Sequence, residues 1–394
     1  MPGLKQFLAT TMTITFVMIL TFGQSIAGEK LPLSNITPTV EGGVDYLINY
    51  MSSGDKSPID LKKIENIIDF VGSSDKNKSS YSPRVWQKAT SIYQGFEIDL
   101  DFNSFLKYTL NPKIPSQVFR PSSLRYSYWI DIDGEKKDLP LLWKQLKKLD
   151  KPIVIRGTEH ETITPDTNTG AYYSYDVKRA LILCRHKGRR ALISISFQKD
   201  PSEVGKKGAV LGHDEDWNYF YSDIDGLTKK GLGWASSYIY RSFSISVYYE
   251  KEAGKAGLNY GILKWLRAGW AGMNMVKKEH LAAGIKRFAR DLKFVLESPN
   301  IPSPEILGRT FSDMQALSVA ELRKEASKYI RDLVNEYGSG DMLSRSEFSG
   351  LLKSGEYLNK MNREELISIL VVQHMKKTLG KDFKGTLFLE KPGQ

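Results

Sequence analysis

Two of the five histidines stand among carboxylates, and these are the first residues whose types and spacing suggest chemistry. His213 is followed directly by Asp214, Glu215 and Asp216. Oxygen ligands of this kind suit a hard cation, but contiguous acids cannot converge on one ion without an unusual turn, and the spacing is not that of an alternating calcium loop. His160 lies between Glu159 and Glu161, a carboxylate–imidazole combination able to move protons. It lacks the second histidine of a zincin helix. The expectation is therefore no metal site. His213 with Asp214 and Asp216, or His160 with Glu159 and Glu161, remain candidate groups for a metal-assisted or acid/base hydrolase of the cell envelope. The Glu159 cluster is read as the start of a polar loop after a strand over Ile153 to Arg156.

The other histidines, His186, His280 and His374, adjoin a turn or an apolar helix and read as structural. No Gly-x-Ser-x-Gly elbow, phosphate-binding loop, Cys-x-x-Cys pair or dinucleotide fingerprint occurs, so no cofactor is expected. Aromatic residues are the remaining unusual component. Tyr219, Tyr221, Tyr240, Trp234 and Trp270 fall in or beside the strand-rich region and are the candidate ligand-binding residues. Their apolar bodies and polar tips suit lipids, aromatic compounds or sugars.

These groups need a scaffold, and periodicity predicts one. Val44 to Met51 and Ile59 to Val71 have helical spacing, and Gly72 to Pro83 is a polar connector. From Arg84 to Glu250 the pattern alternates, most cleanly over Arg241 to Tyr249, where Phe243, Ile245 and Val247 oppose Ser242, Ser244 and Ser246. Ala180 to Arg185 and Arg190 to Gln198 form a hairpin about Gly188. Lys278 to Leu296 is the strongest helix, with Leu281, Ile285, Phe288, Leu292 and Val295 on one stripe. Its expected position is across the apolar face of the sheet. Three prolines between Ser298 and Pro304 end it. Beyond them, Ser318 with Glu321, Ser344 with Glu347 and Asn362 with Glu365 have the spacing of capping boxes, each opening a helix.

The expected fold class is α+β: a curved antiparallel sheet packed by a long helix, with a helical C-terminal subdomain. The expected divisions are a signal peptide over 1–27, a helical segment and linker over 28–83, a sheet domain over 84–298 closed by helix 278–296, and a helical subdomain over 305–390. Strands followed by a closing helix, with Gly269-Trp270 turning into it, resemble the helix-grip arrangement of START-like lipid-binding domains. The resemblance implies a cavity between sheet and helix that holds an amphipathic or apolar ligand.

Compartment follows from the first residues. Lys5, an uncharged run from Gln6 to Ala27 and the small residues Ser25 and Ala27 have the form of an export leader. Left uncut, that run is long enough to span a bilayer and tether the protein. A periplasmic or secreted location is expected. The formal charge of +11 then points to anionic envelope polymers rather than to nucleic acid. Cys184, the single cysteine, cannot form a disulfide within the chain and reads as a small core residue. The functional expectation is an exported non-catalytic binding protein, with the hydrolase and a polymer-bound envelope protein as alternatives.

Overall fold

The structure, a computed structural model, describes residues 34–53, 57–73, 81–338, 348–351 and 356–381. The leader, the centre of the Gly72 to Pro83 connector and the Ser344–Glu347 capping box lie outside these residues. The chain is α+β. Strands β1 (Ser34–Asn35), β2 (Tyr81–Ser82), β3 (Thr90–Ile98), β4 (Leu124–Ile132), β5 (Ile153–Ile163), β7 (Ser174–His186), β8 (Arg189–Gln198), β11 (Ser237–Glu250) and β12 (Leu258–Trp270) form one sheet in the order β1-β2-β3-β12-β11-β8-β7-β5-β4. All its pairings are antiparallel apart from the short β1–β2 contact. A smaller sheet, β10-β9-β6, is built from β6 (Ala171–Tyr172), β9 (Lys206–Val210) and β10 (Tyr219–Asp225).

Alternation decides which side chains share a face, and both faces of the large sheet are covered. Ala191, Ile193, Ile195, Phe243, Ile245 and Val247 form the strongly apolar face, and helices α1 (Pro38–Ser53) and α2 (Glu65–Gly72) cover it. The expected order is thus reversed. The helix over residues 278–296 has the predicted bounds, as α4 (Lys278–Leu296), but it lies on the opposite face, beside β3, where Phe288 meets Tyr260 with ring centroids 6.1 Å apart. The N-terminal helices carry compact stripes of Val, Leu and Ile, which fit the β-branched face. Helix α4 shares its second, more mixed layer with α3 (Phe102–Thr109) and the short 3-10 segment Ser116–Phe119.

The helices α5 (Pro304–Ala316), α6 (Val319–Tyr337), α7 (Glu356–Lys360) and α8 (Arg363–Thr378) extend that second layer. They share one apolar cluster with the sheets: Phe220 of β10 meets Phe348 and Tyr357 at ring distances of 5.3 and 4.8 Å. Helices α6 and α8 begin with the expected capping boxes, Ser318–Glu321 and Asn362–Glu365. The turn before α4 falls two residues later than expected. Gly269 and Trp270 end β12, and the chain reverses at Ala271 and Gly272, both at positive φ. Cys184 is buried in the α1–α2 core, where burial pushes its thiol up to about 12.

Candidate functional site

Glu159, His160 and Glu161 are not in a loop but in the middle of β5. Period two therefore separates them. Glu159 and Glu161 point to the second-layer face, where both pair with Arg179 of β7, Glu161 at 2.6 Å. An arginine that satisfies two acids at once makes their burial on a strand tolerable. His160 points the other way, and its Nδ1 lies 2.7 Å from Asp176 Oδ1 on the paired strand β7. The couple inferred from sequence is replaced by a cross-strand one.

The second cluster has a different fate. His213 caps a 3-10 turn over Asp214–Asp216, and its backbone N–H donates to Asp216 at 2.9 Å. Asp214 and Glu215 face Arg287 and Arg290 of α4, with Asp214 3.3 Å from Arg287 and Glu215 2.8 Å from Arg290. These acids tie the small sheet to the helix. Among the described residues no grouping of His, Cys, Asp or Glu has metal-binding geometry.

A cavity of about 380 Å³ opens where β4 and β5 meet the small sheet and the helices α7 and α8. The imidazole of His160 lines it, stacked against Tyr128 at 5.1 Å and Tyr126 at 6.2 Å. Beside it Thr162 Oγ1 lies 3.4 Å from His160 Nε2 and 2.8 Å from Ser174 Oγ, so carboxylate, imidazole and two hydroxyls run in sequence along the wall. The arrangement follows from register, because His160 pairs with Asp176 and Thr162 with Ser174 on adjacent strands.

Arg125 forms the floor. It occupies the register shift between Leu124 and Tyr126, where the strand bends and re-aims a side chain. Its side chain is buried, Nη1 donates to Glu365 Oε1 at 2.7 Å, and the guanidinium lies 3.8 Å from the centre of the Tyr221 ring. Burial opposes its charge, but Glu365 and the surrounding phenols more than offset this and raise its proton affinity. Its buried Nε has no partner among the described residues. Burial likewise pushes the Tyr172 phenol up to about 12 and raises that of Tyr221, so both rings are neutral hydrogen-bonding groups. Lys206 pairs with Asp223 at the rim.

Of the aromatic residues selected from sequence, only Tyr221 reaches this cavity. Tyr219 is buried behind it with its hydroxyl 3.1 Å from Asp214 Oδ1. Tyr240 accepts from the Gly272 N–H at 2.8 Å, Trp270 packs on the Ala235–Ile239 cluster, and Trp234 is 81% exposed. Arg125 and Asp176 were not singled out. The signal for Arg125 was a lone cation beginning an aromatic strand, Arg125-Tyr126-Ser127-Tyr128-Trp129. No protein-family model, curated protein or solved structure matches the chain.

Proposed function

We propose that the chain is an exported, non-catalytic binding protein whose cavity takes a saccharide, an amphipathic ligand with apolar ring faces and hydroxyl edges. The observation that carries this reading is the Arg125 floor: a buried, ion-paired guanidinium ringed by phenols at the bottom of a cavity of small-molecule size. The charged lining is balanced, with Arg125, Lys206 and Lys360 against Glu203, Asp223 and Glu365. Fixed donor and acceptor pairs of this kind bridge neighbouring hydroxyls, whereas a strongly anionic polymer would favour a basic lining. Tyr128, 48% exposed and backed by His160, offers a flat face for a sugar ring. Export rests on the leader pattern, and N-terminal sequencing is expected to begin at Gly28.

Titration calorimetry of the purified chain against neutral and amino sugars of envelope polymers tests the reading. Binding is expected, with at least a tenfold loss in Tyr128→Ala. Wild-type affinity in both Tyr128→Ala and Arg125→Met, or no saccharide bound, would overturn it.

The Asp176–His160–Thr162–Ser174 sequence favours one second reading, an acid/base hydrolase. Ser174 would be its nucleophile, passing its proton to the Thr162 hydroxyl as that hydroxyl passes its own to His160, the base. Labelling of Ser174 by a fluorophosphonate probe, abolished by His160→Gln, is the result this reading requires.

A further inference from the structure

On the second-layer face of the large sheet, register places four polar residues side by side across adjacent strands. Lys264 of β12 is paired with Ser244 of β11, Ser244 with Ser196 of β8, and Ser196 with Arg179 of β7. A cation thus stands at each end of a row whose middle is two hydroxyls. Ser196 is 6% exposed, and among the described residues neither its hydroxyl nor that of Ser244 has a hydrogen-bond partner. Gln94, on β3, adds a buried amide nitrogen that is also without a partner. The enclosed Gln94 donor carries a free-energy cost unless something accepts from it.

Charge points to what that is. Arg179 is held by Glu159 and Glu161, and Arg120, descending from the 3-10 segment above, lies 3.8 Å from Glu161. Lys264 donates to Ser242 at 2.7 Å, and among the described residues no carboxylate is within ion-pair reach of it. Three cations therefore face two carboxylates, leaving one positive charge uncompensated. Burial pulls the Lys264 ammonium down to about 8, and the attraction of Glu161 offsets only part of that. Half-buried Phe96, Ile262 and Tyr248 flank the row on the same face.

We propose that the Lys264–Ser244–Ser196–Arg179 row binds the carboxylate of a small monocarboxylic acid whose apolar body lies along Phe96, Ile262 and Tyr248. This site is separate from the Arg125 cavity and does not depend on the saccharide reading. The carboxylate supplies the missing negative charge and accepts from both serines, while a second negative charge would have no cation to meet.

The test is titration of the purified full-length mature protein with decanoate, benzoate and decanol, followed by calorimetry and thermal unfolding. Binding of at least one carboxylate is expected, with no binding of decanol. Lys264→Met should lose at least tenfold in affinity, and Ser244→Ala, which removes only an unpaired hydroxyl and leaves the fold intact, should lose several-fold. Tyr128→Ala should leave carboxylate binding unchanged. Failure of every carboxylate to bind, equal binding of decanol, or wild-type affinity in both Lys264→Met and Ser244→Ala would overturn the proposal.

Discussion

Arg125 shows how one side chain can fix both a site and its stability. Its partner Glu365 comes from α8, 240 residues later in the sequence, so the ion pair joins the sheet edge to the C-terminal helices. Removing one member of a buried pair leaves the other without compensation, a loss of ~3–5 kcal/mol when both are fully buried. Glu365 keeps 20% of its side chain exposed and can recover some hydration, so Arg125→Met should lower the unfolding free energy by about 2–3 kcal/mol. The check is a lower urea midpoint at unchanged m-value. Arg125→Lys should restore only part of the loss, because an ammonium cannot both reach Glu365 and lie flat on Tyr221. Little of this was legible in the sequence. Spacing can place Arg125 on a strand, but it cannot reveal a partner that only the folded topology brings near.

At the scale of elements, the cavity depends on β4 lying close against β5. Gly157 permits that approach: a Cβ placed there would be 2.2 Å from the Asp131 carbonyl oxygen and 2.9 Å from the Trp129 ring. Gly157→Ala must push β4 outward, since backbone cannot rotate away as a side chain would. A cost of about 1–3 kcal/mol is expected, with faster amide exchange along β4 and unchanged protection of β8 and β11 under α1 and α2. Elements themselves were the most legible part of the chain. The alternation of Arg241 to Tyr249, the hairpin at Gly188, the bounds of α4 and two capping boxes all appear as read. What periodicity lacks is the identity of the covering layer. It separates Phe243, Ile245 and Val247 from Ser242, Ser244 and Ser246, yet it cannot say that α1 and α2 take the first set while the serines face a second buried layer. The acids of β5 misled for the same reason: Glu159 and Glu161 look like loop residues until Arg179 is placed opposite them.

For the whole molecule, two desolvated lysines, Lys376 buried and Lys264 half-buried, make stability depend on alkaline pH. Burial lowers both Lys264 and Lys376 to about 8 from an ordinary value of 10.5. Lys264 is faced by Glu161 and Arg179; Lys376 donates to Asn218 Oδ1 at 2.7 Å and is faced by Asp216, Glu336 and Lys381. Below pH 8 each is protonated in the folded and unfolded chains alike, and folding carries the full cost of burying the charge. Between pH 8 and 10.5 the folded chain releases protons that the unfolded chain retains. Stability therefore rises with pH, by about 1.4 kcal/mol per unit for each lysine. Opposite contributions set in higher up. Cys184 keeps its proton to about 12, so it subtracts from stability above pH 9, and the buried tyrosines subtract above pH 10. Urea unfolding should accordingly show a rise from pH 8 to 9, a flattening to pH 10 and a fall beyond it. Lys376→Met should remove about half of the first rise, and Lys264→Met the other half. A carboxylate seated on the inner row would hold Lys264 protonated, so saturating decanoate should suppress the Lys264 share while leaving the Lys376 share intact. A wild-type slope in both variants would show that neither ammonium is desolvated in the folded protein.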